Sequence, residues 1–200
     1  MENIKINNDF SEYIKIFLEE NSKVNLISKH DESFLYEKHI YDSLGIKLFF
    51  NRYKMKNPEI LDIGCGGGFP CVPVAIEFPN ISITGIDSIR KKINAVQNIK
   101  DKLDLKNLNL ICDRAENIKD KKYDVIVSRA VAELFKIAEY ALPLLKKNGY
   151  FIAYKSKKTE EEIDNAKNIL KKHNAKIIDI LEYTLPLEEI FERRLIIIRK

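Results

Sequence analysis

Apolar residues fall at Phe10, Tyr13, Ile14, Phe17 and Leu18, the i, i+3, i+4, i+7, i+8 spacing of a helix that buries one face. Asp9 stands before it as an N-cap candidate. A second segment of helical character runs from Glu32 to about Phe50, and the helical front piece ends near Asn57-Pro58, because proline disfavours helix at the preceding residue. From Glu59 onward the period changes. Short β-type runs, Ile60 to Ile63, Ile81 to Asp87, Leu108 to Asp113, Val125 to Ser128 and Tyr150 to Lys155, alternate with helical stretches from about Pro73, from Ile89 to Leu103, and up to about Leu145. Such alternation predicts an α/β fold with a parallel sheet and helices on both faces. The order breaks at the end. After a helix from Thr159 to Lys172, two β-like stretches, Lys176 to Tyr183 and Arg194 to Arg199, are joined by a turn region and should pair antiparallel. The expectation is a helical segment over residues 1–57 packed on a core over 58–200, one compact domain overall.

Two hundred residues, 45% hydrophobic and 32% charged, suit one globular domain with a real core. No apolar run approaches bilayer-spanning length. Met1 to Ile6 carry acid and base with no apolar h-region, so neither membrane nor export is indicated and the cytoplasm is the expected compartment. Cys65, Cys71 and Cys112 show no C-x-x-C spacing, which supports neither a disulfide framework nor a zinc site. A net charge of +4 is compatible with a polyanionic partner without demanding one. The richness in Lys, Asn and Ile reflects base composition, so only lysines placed near a site count.

The chemistry concentrates where the first strand ends in Asp62 and runs into Gly64, Gly66, Gly67 and Gly68. Glycines there let the chain turn sharply with positive φ and let a ligand lie against the backbone. A dinucleotide oxidoreductase wants G-x-G-x-x-G, but Phe69 stands where the third glycine should be. An acid, Asp87, followed by Ser88, closes the next apolar run, placed for a ribose diol. Strand, G-x-G-x-G, helix, strand, acid resembles the class I S-adenosylmethionine methyltransferases, whose Rossmann-like fold also ends in an antiparallel hairpin. That resemblance implies backbone around Gly64, Gly66 and Gly68 under the cofactor, Asp62 near its ammonium, Asp87 on its ribose hydroxyls, and Ala115 and Glu116 at its adenine. The bland readings are a strand-end cap for Asp62 and a helix N-terminal acid for Asp87.

Absences narrow the acceptor. After the fourth strand stands Ser128-Arg129-Ala130, with no Asn-Pro-Pro-Tyr to grip an exocyclic amine. Cys71 opens the helix after the glycine loop, on the wrong side for a pyrimidine nucleophile. An acceptor that already owns a lone pair, such as a ring nitrogen, suits this chain; guanine N7 is one.

Val24-Asn25-Leu26-Ile27, Lys38-His39-Ile40-Tyr41-Asp42-Ser43-Leu44, the loop from Asp62 to Pro70, Val127-Ser128-Arg129-Ala130, Tyr154-Lys155 and Glu192-Arg193-Arg194-Leu195 together resemble one family along essentially the whole chain. It is the bacterial small-subunit ribosomal RNA guanine-N7 methyltransferase family, formerly called glucose-inhibited division protein B. Membership implies methyl transfer from S-adenosylmethionine to 16S ribosomal RNA of the small ribosomal subunit, by positioning and with no covalent intermediate. It implies no metal, no DNA and a monomer. Gly64 and Phe69 match the family's cofactor contacts, and Arg129 the arginine that closes the pocket. His39, Arg114, Lys155 and Arg193 match positions around the acceptor. The alternatives are an exposed i, i+3 pair for His39 and Asp42, a solvated lysine at Lys155, and edge-strand charges at Arg193 and Arg194. The chain departs from the family in a short front segment without tryptophan, in Cys71 for glycine, and in Ser156 after Lys155. A small-molecule methyltransferase and a non-catalytic S-adenosylmethionine-binding regulator are the rival functions.

Overall fold

The computed structural model describes residues 4–156 and 159–200, so Met1 to Asn3 of the stretch read for a leader lie outside the described residues. Seven strands form one sheet in the order β3-β2-β1-β4-β5-β7-β6. They are β1 (Glu59–Ile63), β2 (Ser82–Asp87), β3 (Leu108–Cys112), β4 (Tyr123–Arg129), β5 (Leu145–Ser156), β6 (Lys176–Leu185) and β7 (Phe191–Arg199). β1 to β5 pair parallel, and β7 runs antiparallel to both β5 and β6. The terminal antiparallel hairpin read from the loss of helical period is therefore present.

Residues on one strand alternate between two apolar cores, as the two-residue period of a pleated strand requires. Ile60, Val125, Val127, Ile152, Leu195 and Ile197 face one core, while Leu61, Ile126, Phe151, Ile196 and Ile198 face the other. The second is closed by α5 (Leu134–Leu144) and α6 (Glu160–Lys172). The first is closed by α3 (Cys71–Glu77), α4 (Arg90–Lys102) and the front segment, including α1 (Ser11–Asn21) and α2 (Ile46–Tyr53). α1 follows the predicted apolar stripe, burying Tyr13 and Phe17, but its cap position is Phe10 and not Asp9, which stands one residue ahead and accepts from the Ser11 N–H at 2.9 Å.

The single helix expected from Glu32 to Phe50 is instead broken. A 3-10 turn over His30–Phe34 leads into a π-helix over Leu35–Tyr41, and a regular helix resumes only at Ile46. The periodicity was satisfied locally, but tertiary partners take over at the break. Asp42 and Ser43 are drawn inside, with the Tyr154 hydroxyl donating to the Ser43 carbonyl at 2.7 Å and Tyr183 donating to Asp42 Oδ1 at 2.7 Å. Gly45 admits this approach, since a Cβ there would stand 2.8 Å from the Tyr183 oxygen. Wide helical turns of this kind commonly mark sites where side chains are re-aimed. β5 likewise begins earlier than Tyr150, because Leu145 pairs with Tyr123 before a register shift.

Candidate functional site

The carboxyl ends of β1, β2, β3 and β4 lie side by side, which is where open α/β sheets hold ligands. Gly64, Gly66 and Gly68 take φ of +73°, +54° and +93°, the left-handed region that glycine enters without cost. Their surroundings differ in an informative way. A Cβ on Gly64 would stand 2.5 Å from Val131 Cγ2 and one on Gly68 would stand 2.7 Å from Val72 Cγ2, whereas Gly66 faces nothing nearer than 3.9 Å. Two glycines allow close packing and the third leaves open backbone.

Asp87 ties this loop to the next strand. Its Oδ2 accepts from the Gly66 N–H at 2.9 Å, and its Oδ1 accepts from the Ile89 N–H at 2.8 Å, just ahead of α4. Asp87 braces the turn from two residues ahead of the cap position Ile89 and is not itself the cap, and the spare lone pairs of both oxygens leave room for hydroxyl donors. Asp62 is fully buried at the end of β1. Its Oδ2 accepts from the Cys71 N–H at 3.1 Å, while Oδ1 has no partner. Burial pushes its carboxyl up to about 7, only partly opposed by the Cys71 N–H. Cys71 itself is buried with its thiol pushed up by burial, the opposite of an activated nucleophile.

A cavity of about 270 Å³ opens over the loop, walled by Gly64, Gly66, Phe69, Asp87, His39 and Arg129, with Leu26, Ile27 and Lys92 completing its rim. The Arg129 guanidinium lies over the Phe69 ring at 5.1 Å, and the His39 ring packs on Phe69 at 4.9 Å. Arg129 Nη2 is 3.1 Å from His39 Nδ1. Guanidinium only donates, so Nδ1 accepts and the imidazole hydrogen sits on Nε2. Burial and the Arg129 charge lower His39 to about 4, which keeps it neutral near pH 7. Its Nε2 is buried without a partner, as are Arg129 Nε, Asp62 Oδ1 and Tyr13 Oη. All four side chains flank Phe69 or the glycine loop, a concentration of unmet hydrogen-bonding capacity that suits a polar ligand.

Behind this wall lies a residue to which the sequence reading assigned no role. Asp42 is fully buried and accepts from Arg193 Nε at 2.9 Å, Arg193 Nη2 at 2.7 Å, Arg129 Nη1 at 2.9 Å and the Tyr183 hydroxyl. Burial opposes ionisation, but the Arg193 hydrogen bonds and the charges of Arg129 and Arg193 prevail and hold Asp42 at about 2. The exposed-pair reading of His39 and Asp42 is thereby overturned: one helical turn separates them, yet both face inward. Their spacing within the His39 motif was the available signal. Nothing in the sequence pointed to Tyr183 or Lys92.

The structure gathers His39, Gly64, Gly66, Phe69, Asp87 and Arg129 at the cavity, keeps Asp62 and Gly68 buried behind the loop and out of its lining, and links Arg193 to the wall through Asp42. Ser88, Arg114, Ala115 and Glu116 sit on the neighbouring ends of β2 and β3, outside the wall; Ala115 is buried and the other three are exposed. Lys155 is not brought to the cavity. Its ammonium binds the Ala132 carbonyl at 2.8 Å and the Glu162 carboxylate. A larger groove of about 810 Å³ lies between the α6 C-terminus and the far ends of β6 and β7, and holds none of the predicted site residues.

Residues 6–190 match the family model described as rRNA small subunit methyltransferase G, GidB. A protein of Staphylococcus saprophyticus named ribosomal RNA small subunit methyltransferase G is 39% identical over 195 residues, which is 96% of this chain and 80% of the relative. One of the same name from a Thermoanaerobacter species is 41% identical with the same coverage. Among solved structures, M. jannaschii TYW2 in complex with AdoMet superposes with a TM-score of 0.62 at 15% identity, over 80% of this chain and 76% of that one. The [4+2]-cyclase SpnF gives 0.62 at 14% identity, over 80% and 81%. These two likenesses show the fold alone.

Proposed function

The chain belongs to the rRNA small subunit methyltransferase G family, and from that premise we propose that it transfers a methyl group from S-adenosylmethionine to N7 of a guanine in 16S ribosomal RNA, acting as a cytoplasmic monomer on the small ribosomal subunit. The match along nearly the whole chain carries this reading, and the polar vacancies of the cleft agree with it. No observation favours a small-molecule acceptor or a regulator that binds without catalysis. Among the described residues, no helix is long and apolar enough to cross a membrane.

The donor set fits the cofactor. The unpartnered Asp62 Oδ1 suits an ammonium, the open backbone at Gly66 suits a sugar lying flat against it, and Asp87 suits ribose hydroxyls. Gly64 and Phe69 shape the cavity while Gly68 lets the loop pack on Val72 behind it, Ser88, Ala115 and Glu116 on the neighbouring strand ends would take the adenine, and Arg129 closes the wall. When bound, S-adenosylmethionine supplies an electrophilic methyl carbon and a good leaving group. What the protein supplies is position. Guanine N7 brings its own lone pair, so no base is required, in keeping with a neutral His39 whose Nε2–H is a donor. Arg193 holds Asp42 and thereby the Arg129 wall, and Arg114, exposed at the end of β3, is available to RNA phosphate.

The test is transfer of labelled methyl to small subunits lacking the modification, followed by borohydride and aniline cleavage, which breaks RNA at 7-methylguanine. One cleavage site with wild type and none with Gly64→Arg is the expected result. Cofactor binding without any labelled RNA would overturn the assignment.

A further inference from the structure

We infer that Lys155 and Glu162 form a latch that holds the loop after β4 against the glycine loop, so that Lys155 is a positioning residue acting through this loop and not by touching RNA. The Lys155 ammonium, at the carboxyl end of β5, donates to the Ala132 carbonyl at 2.8 Å and to Glu162 Oε2. The same Oε2 accepts at 2.9 Å from the N–H of Leu134, the first residue of α5. A helix start leaves amides without internal partners, and Glu133 at the cap position offers no side-chain acceptor. The acceptor comes from α6 instead. One ion pair thus fixes a carbonyl and an amide on either side of Glu133, and its side chains are only 14% and 28% exposed.

The other end of this loop is the cavity wall. Arg129, Ala130 and Val131 all face the cavity, and Val131 lies on Gly64 at the close approach described above. Ala130 takes φ of +56°, a left-handed conformation that a non-glycine residue keeps only where its surroundings hold it. The latch is such a holding point, two residues downstream.

The carboxylate partner of Lys155 sits among charges of both signs, with Arg194 paired to Glu160 and Lys136 to Glu133. Glu162 shares a groove with Glu133, Glu160 and Glu161.

The inference rests on the methyltransferase reading only for its kinetic readout. Its test uses the full chain with Lys155→Met, Glu162→Gln, the double variant and Lys155→Arg. S-adenosylmethionine affinity is measured by calorimetry, the KM for unmodified small subunits at two salt concentrations, amide exchange over residues 131–134, and the thermal midpoint of every variant. Each single neutralisation should weaken cofactor binding about tenfold and speed exchange at Leu134. The double variant should be no weaker than the worse single one, because both remove the same restraint. Lys155→Arg should recover most of the affinity, and the salt dependence of the acceptor KM should not move. The inference is overturned if Lys155→Met raises acceptor KM and lowers the salt slope by about one while Glu162→Gln behaves as wild type. Wild-type cofactor affinity in all variants would overturn it equally. If even the wild type methylates no RNA, the methyltransferase reading fails, and the affinity and exchange arms still decide the latch.

Discussion

Asp42 and Asp62 are both fully buried aspartates, one behind the Arg129 wall of the cleft and one beneath its glycine loop, yet their environments push them apart. Asp42 accepts four hydrogen bonds from two arginines and a tyrosine and is held at about 2. Asp62 accepts one backbone N–H, keeps an oxygen without a partner, and is pushed up to about 7. A buried charge whose capacity is filled by the protein is a structural element, because its removal strands its partners. A buried acid left half satisfied costs stability in the free protein and suits a ligand that brings the missing donor. The contrast separates scaffold from binding surface more sharply than burial or charge alone.

The largest effect should come from breaking the filled site. Asp42→Ala leaves Arg129 and Arg193 facing each other without their shared anion, and should cost about 3–5 kcal/mol in urea unfolding. A loss below about 1 kcal/mol would mean the arginines find other partners and the contrast is not real. Asp62→Asn should do the reverse: folded stability at pH 8 stays equal or rises, while S-adenosylmethionine affinity falls by about 10- to 100-fold, the worth of one charge-assisted hydrogen bond. Calorimetry beside thermal unfolding reads both.

Acidity sharpens the comparison further. Asp62 has a folded pKa raised from 3.8 to about 7, so its contribution to stability is full below 3.8 and is lost as pH rises through about 7. His39 is lowered from 6.5 to about 4, so its contribution is full above 6.5 and is lost as pH falls through about 4. Between these limits the two nearly cancel in the wild type. Asp62→Asn should remove the opposing contribution and so lose more stability than the wild type on acidification from about pH 6.5 to 4; a variant that tracks the wild type would refute the raised Asp62 carboxyl. Cofactor affinity of the wild type should rise from pH 6 to pH 8 as Asp62 ionises and stay level in Asp62→Asn. The smallest effect is expected for Tyr183→Phe, which removes one of four bonds to Asp42 and should cost about 1 kcal/mol by urea unfolding.

Much of this was legible along the chain. Gly64, Gly66 and Gly68 announce the loop because positive φ is a local demand, and Asp62 and Asp87 follow from strands whose lengths are written in their apolar runs. The terminal hairpin followed from the loss of helical period after Lys172. Other features were invisible because they depend on residues far apart in sequence. The break between Tyr41 and Ile46 needs Tyr154 and Tyr183, more than a hundred positions away. Lys155 read as an acceptor-side lysine because its motif says nothing of Glu162, which approaches only when α6 packs beside α5.

Local periodicity and turn chemistry therefore determined the alternating fold class and the glycine loop by themselves, since each depends on neighbours a few residues apart, while the family rested on the resemblance of motifs along the whole chain. Which acids are saturated, which histidine tautomer exists and which lysine is already committed were decided only in three dimensions. Ionisation and hydrogen-bond satisfaction depend on partners and burial at a few ångströms, and those distances exist only once β4, β5, β7 and the front segment meet around Asp42.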